Sequence, residues 1–214
     1  MKGFKSTSLA DQVFEKLEND IIQGIYAKGE ILTELKLVDQ LGVSRTPIRE
    51  ALRRLEQERL IADTGKGSLV LGITDDDLLD IMNIRERIEG LVAYYCALNI
   101  TDEGIKELKH LTDLQYFYFS KRDIDHLRQV DDEFHDAICR LSGRTVICDT
   151  LTPLHRKTRR YRRIAMEDWD RATRSTQEHY AIYEAIANRN PELAKKLTKD
   201  HITHAKEHMI KEVN

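Results

Sequence analysis

Cysteine, proline, glycine and tryptophan are all scarce in this chain. Its three cysteines, Cys96, Cys139 and Cys148, are odd in number and show no CxxC spacing. That suits a reducing compartment better than a disulfide scaffold. Three prolines and ten glycines in 214 residues leave little punctuation for an all-β fold. Almost no β-branched alternation follows residue 73. No apolar run approaches the ~20 residues that span a bilayer. The opening MKGFKSTSLADQ has no apolar h-region, so neither a membrane span nor a secretory leader is expected, and the chain is assigned to the cytoplasm. A net excess of positive charge is missing too: 34 Lys and Arg against 37 Asp and Glu give a formal charge of -3. By itself that balance does not favour a nucleic-acid partner.

The distribution reverses that inference. Residues 44–54 hold four arginines and one glutamate, a local basic patch of the kind that meets phosphate. Ser8 is placed to cap a helix carrying Val13, Leu17 and Ile21, which Gly24 ends. Thr33 opens a short second helix that stops at Gly42, and Ser44 is the expected N-cap of a third. There Ile48, Ala51, Leu52 and Leu55 fall at i, i+3, i+4 and i+7, a buried stripe. Arg45, Arg49 and Arg53, four apart, form a separate stripe. "LIADT-GKG-SLVLG" follows as two short strands around Lys66. Helix, helix, turn, helix, hairpin is the pattern of a winged helix-turn-helix over residues 1–72. Its third helix would present Arg45, Thr46 and Arg49 to base edges or phosphate, with Lys66 at the wing tip.

"IIQGIYAKGEILTELKLVDQLGVSRTPIREALRRLEQERLI" closely resembles the DNA-binding domain of GntR-family bacterial transcription regulators, over about residues 8–72. The resemblance implies a recognition helix in the major groove, with Arg45, Thr46 and Arg49 as contacts and the wing in the minor groove. Many members carry a DNA-contacting arginine in the second helix. This chain has Leu35 there, beside Lys36, the remaining basic candidate of that helix.

From Thr74 onward the pattern is all-helical, with helices expected at 75–98, 102–119, 124–142, 145–165, 174–188 and 191–212. The fold class is therefore mainly α: a winged helix-turn-helix followed, over residues 73–214, by a six-helix antiparallel bundle. Within it Asp131 and His135 lie one turn apart on the face of Phe134 and Ile138. His179 precedes Ile182 and Ile186 on a second apolar face, and His201 follows Leu197 on a third. Imidazoles and a carboxylate pointing into a bundle suit zinc, nickel, iron(II) or manganese. His204 and His208 share the face of His201 closely enough to replace it. "LHRKTRRYRR" places Arg156, Arg159, Arg160 and Arg163 on one side of a helix, with Arg162 elsewhere. Such arginines serve either a solvated face or an anion pocket.

"IRERIEG", "DDEFHDAICRLSG", "EHYAIYEAI" and "AKKLTKDHITHAKEH" resemble the FCD ligand-binding domain of the FadR branch of the same family. The resemblance implies a divalent metal, zinc or nickel foremost, on Asp131, His135, His179 and His201. A helix count of six matches its shorter, VanR-like subgroup. A small carboxylate effector beside the metal would meet Arg85, Arg159, Arg160 and Tyr180. The expected partners are double-stranded DNA with an inverted-repeat operator, the effector and a second copy of the chain. Catalysis is not expected. The residues alone also admit a helical-bundle metalloenzyme with a His3Asp site, or a regulator whose metal is itself the signal or a structural brace.

Overall fold

The structure, a computed structural model, describes residues 8–213; the side chains of Arg163 and of residues 211–213 lie outside the described set. The chain divides into two compact units, Met1–Thr74 and Asp75–Asn214.

The first unit contains α1 (Leu9–Ile22), β1 (Ile31–Leu32), α2 (Glu34–Leu41), α3 (Arg45–Gln57), β2 (Ile61–Asp63) and β3 (Ser68–Val70). Ser8 and Asp11 close a reciprocal capping box on α1, which satisfies two N–H groups left over at the helix start. Thr33 caps α2 through the Lys36 N–H, and Gly42 ends it in the left-handed conformation. Ser44 occupies the cap position of α3 with extended backbone, but its side chain makes no capping hydrogen bond. Ile48, Ala51 and Leu55 are fully buried with Leu17, Leu32 and Leu37. The wing has three strands rather than two. β3 pairs antiparallel with both β2 and β1, in the order β1-β3-β2. A two-residue strand carries no alternation to read, so β1 left no trace in the sequence pattern.

The second unit is helical throughout its described residues: α4 (Asp75–Asn99), α5 (Asp102–Lys121), α6 (Ile124–Ser142), α7 (Thr145–Lys157), α8 (Arg159–Glu167), α9 (Trp169–Ala187) and α10 (Pro191–Val213). The all-α class holds, but the described helices number seven, so the count of six that pointed to the shorter subgroup does not stand. The helix expected over 145–165 breaks at Thr158. That buried hydroxyl turns back on the carbonyls of Leu154 and His155, at 3.2 and 3.1 Å. It also accepts from Arg85 Nη1 at 3.0 Å. Side chain-to-backbone bonding of this kind competes with helix propagation. α9 starts five residues ahead of the expected 174, where the Asp168 carboxylate caps the N–H groups of Asp170 and Arg171.

α4 runs through the unit, packing on α6, α7, α9 and α10. The core gathers Ala93, Cys96, Leu108, Phe134, Ile138, Ile182 and Ile186. Gly90 permits the α4–α10 crossing, since a Cβ there would lie 2.9 Å from the backbone oxygen of Lys195. Cys139 and Cys148 form a disulfide between α6 and α7, with Cα atoms 5.7 Å apart. This departs from the expectation of unpaired thiols, because the α6–α7 turn brings together two residues nine apart in sequence. Cys96 is free and buried.

Candidate DNA-binding face and metal centre

On the first unit, the buried stripe of α3 fixes which residues face outward. Arg45, Thr46, Arg49 and Arg53 are all exposed, and so is Lys66, held at the wing tip. The tip is ordered locally. Thr64 Oγ1 donates to the Gly67 carbonyl at 2.7 Å, and the Gly65 N–H donates to Asp63 Oδ1 at 2.9 Å. Gly67 has φ 146 and sits where a Cβ would meet the Leu32 carbonyl at 2.8 Å, so glycine is required there. Arg49, Arg53 and Lys66 line one groove between α3 and the wing, of about 450 Å³. Two candidates are already paired. Arg49 Nε donates to Glu34 Oε1 at 2.8 Å, and Lys36 Nζ donates to Glu30 Oε1 at 2.8 Å. Arg54, off this stripe, bonds Asp11 at 2.6 Å and lies 4.0 Å over the Phe14 ring, tying α3 to α1.

In the second unit, α6, α9 and α10 bring His135, His179 and His201 together. One ligand nitrogen from each lies within 4.8 Å of the others, and all three residues are buried. His179 Nε2 and His201 Nε2 are 3.2 Å apart. Two of the rings are held by a hydrogen bond from their other edge, and the third lies near a carboxylate. His179 Nδ1 faces Gln115 Oε1 at 3.0 Å, His201 Nδ1 faces Glu178 Oε2 at 2.7 Å, and His135 Nδ1 lies 3.6 Å from Glu89 Oε2. An acceptor at Nδ1 favours the tautomer that protonates Nδ1 and leaves an Nε2 lone pair for a cation. Burial, with His201 and Arg171 nearby, holds the His179 imidazole well below its ordinary pKa. Burial does the same to His135 against the pull of Glu89. Both are thus kept in the neutral form that ligates.

Asp131 stands beside this trio. It is buried, with Oδ1 3.7 Å from His179 Nδ1, while Oδ2 accepts from Arg162 Nη1 at 3.3 Å. Burial pushes its carboxyl above the usual range, against the charge of Arg162. His204 and His208 lie outside the trio. His204 Nδ1 bonds Glu178 Oε1 at 2.7 Å and His208 Nε2 bonds Asp168 at 2.9 Å. Burial opposes ionisation of Glu178, yet the bonds and charges of His201, Arg171 and His204 outweigh it and bring its carboxyl down to about 2. Glu89 is buried with Arg85 Nε at 2.6 Å and His155 Nε2 at 2.9 Å. The charge of Arg85 foremost, then the His155 contact, outweighs the cost of burial and keeps it well below the carboxylate range.

Beside the trio lies a polar cavity of about 40 Å³, lined in part by Arg85, Asp131, His135, Arg162, Arg171 and His201. Of the four residues expected to hold an effector, only Arg85 lines it. Arg159 is half-buried, 3.6 Å from Asp132; Arg160 is exposed; Tyr180 is 45% exposed. The break at Thr158 explains the difference. It resets the helical phase after residue 158, turning Arg162, set apart by a continuous helix, into the cavity. The expected partnership of Arg163 lies outside the described side chains. Arg162, Arg171, Glu89, Gln115 and Glu178 were missed, although the i, i+4 spacing of Arg85 and Glu89 was a readable signal. The other four depend on which helices become neighbours.

A winged helix-turn-helix with an exposed arginine stripe, in a chain whose second unit is helical, defines a DNA-binding transcription regulator. The family model "Bacterial regulatory proteins, gntR family" matches residues 9–70 and the "FCD domain" model matches residues 80–204. The chain belongs to the GntR family, with an FCD domain as its second unit. It is 27% identical to the HTH-type transcriptional regulator YdhC of Bacillus subtilis, over 96% of this chain and 92% of that protein. It is 31% identical to the gluconate operon transcriptional repressor of Bacillus licheniformis, over 65% of this chain and 57% of the repressor. Identity to the transcriptional repressor RspR of Escherichia coli is 25%, over 89% and 84%. In fold it is similar to E. coli McbR/YncC, with a TM-score of 0.81 at 21% identity over 97% and 99% of the two chains. These relatives are transcription regulators, not enzymes. No helix among the described residues is long and apolar enough to cross a membrane.

Proposed function

We propose that the chain is a ligand-responsive repressor that binds an inverted-repeat operator as a homodimer and releases it when a small carboxylate occupies the FCD cavity beside a divalent metal. One observation carries the metal reading: three buried imidazoles are gathered within 4.8 Å, two of them, His179 and His201, braced at Nδ1 by hydrogen bonds. His135, His179 and His201 would hold the ion, with Asp131 at hand once Arg162 yields it. Nitrogen ligands favour zinc or nickel over harder-ligand metals, with iron(II) or manganese next. A bound cation would supply a positive centre for an effector carboxylate. Arg162 would take that carboxylate's other side, since its Nε and Nη2 are buried without a hydrogen-bond partner in the described structure. Unpaired buried donors are costly, so an anion there lowers the free energy of whichever conformer admits it. That differential shifts the population between operator-fitting and non-fitting states. The repressor assignment draws on relatives that are named repressors.

Metal analysis of the purified protein tests this first. About one equivalent per chain is expected, and His179→Ala should lose it while still folding. Gel shifts then divide the remaining readings. If chelation alone abolishes operator binding, the metal is the signal; if only carboxylate with metal releases DNA, the proposed mechanism holds. Arg45→Ala and Arg49→Ala should remove site preference, and both retaining full selectivity would falsify the recognition-helix assignment.

A further inference from the structure

The polar cavity is small. At about 40 Å³, with about 10–15 Å³ per water-sized probe sphere, it holds a carboxylate and little more. A second, larger space of about 190 Å³ adjoins it between α4 and α10. Met82 and Met209 line both spaces and form the wall between them. Beyond that wall the groove is bounded by Leu78, Leu79 and Ile210, together with Asp75. Lys206, which also borders it, is engaged by Glu86 at 2.7 Å and Asn83 at 3.2 Å. Among the described residues lining the two spaces, the buried donors without a partner belong to the first: Arg162 Nε and Nη2, and Nε of Arg171, whose side chain is 6% exposed.

We propose that the effector is a monocarboxylate with an apolar body, its carboxylate in the polar cavity and its body passing between Met82 and Met209 into the groove. This rests on the reading that the cavity takes an organic acid, and it narrows the acid to a class. A polyhydroxy acid would carry a row of hydroxyls along Leu78, Leu79 and Ile210, which offer them no partner, with Asp75 and Lys206 too few to satisfy them all. It would also be too large for the polar cavity alone. Methionine is the residue best able to move aside for a ligand chain, being unbranched with three rotatable bonds. These three nitrogens carry four N–H donors, the number of lone-pair sites that one carboxylate offers.

Isothermal titration of the full-length, zinc-supplemented protein with acetate, hexanoate and gluconate tests the proposal. Hexanoate should bind roughly tenfold or more tightly than acetate, the effect of burying about two methylene groups. Gluconate should bind no more tightly than acetate. Leu79→Asp, at a 38% exposed position, should bring the hexanoate-to-acetate ratio to about one. Ile210→Asp serves as a second such variant if the first melts early by circular dichroism. Acetate and gluconate binding with no advantage for hexanoate, or an advantage that survives both substitutions, overturns the apolar-body inference alone. Failure of all three acids to bind overturns it together with the organic-acid reading beneath it.

Discussion

Glu178 shows how much of the centre hangs on single side chains. One carboxylate accepts from His201 Nδ1 and His204 Nδ1, each at 2.7 Å, and from Arg171 Nη1 at 3.2 Å. Replacing an outer carboxylate that orients a ligating imidazole typically costs about 10–100-fold in metal affinity. Glu178→Gln should therefore weaken zinc binding by about that factor in a competition titration against a chromophoric chelator, with the melting curve of the metal-free protein little changed. On the DNA side, Glu34 holds Arg49 at 2.8 Å, so a phosphate or guanine must compete for that guanidinium. Glu34→Ala should tighten operator binding several-fold in a low-salt gel shift; weaker binding would show that Glu34 instead positions Arg49. At this scale the sequence was uneven as a guide. Asp131 and His135 were legible because i, i+4 spacing and an apolar face mark two side chains pointing inward. Gln115 was not, because its role depends on α5 and α9 lying side by side, which no local pattern encodes.

Elements were easier to read than their breaks. Thr101 and Asp123 cap α5 and α6 through their side chains, and Gly143 closes α6 in the left-handed conformation, all as local chemistry dictates. The division of the arginine-rich segment at Thr158 was not legible, because a threonine that bonds back on its own helix there is also held by Arg85 from another helix. The α4–α10 crossing offers a test of packing against propensity. Replacing a mid-helix glycine with alanine ordinarily gains about 1 kcal/mol. At Gly90 the new Cβ would sit 2.9 Å from the Lys195 carbonyl oxygen. Forcing backbones apart costs about 1–3 kcal/mol. Overpacking should win, and Gly90→Ala should lower Tm by roughly 2–4 °C. A rise in Tm would mean that α10 yields without cost.

For the whole molecule, a formal charge of -3 and a DNA-binding function are reconciled by where the charges lie. Arg45, Arg49, Arg53 and Lys66 are exposed on the first unit, while Arg85, Arg162 and Arg171 are consumed inside the second by Glu89, Asp131, Asp132 and Glu178. The two sets should therefore answer to different perturbations. Operator affinity should fall linearly on a logarithmic salt axis, with a slope of about -0.9 per phosphate neutralised. Lys66→Ala should flatten that slope by about one for each protomer on the operator and weaken all sequences alike. It should leave the carboxylate concentration for half-release unchanged. Arg162→Gln should do the reverse, keeping the salt slope and raising that concentration at least tenfold, since a charge-assisted bond to a carboxylate is worth about 1.5–3 kcal/mol. Measuring both quantities on both variants by fluorescence anisotropy makes the division explicit. A changed slope in Arg162→Gln would mean that the interior arginines belong to the DNA-binding surface after all.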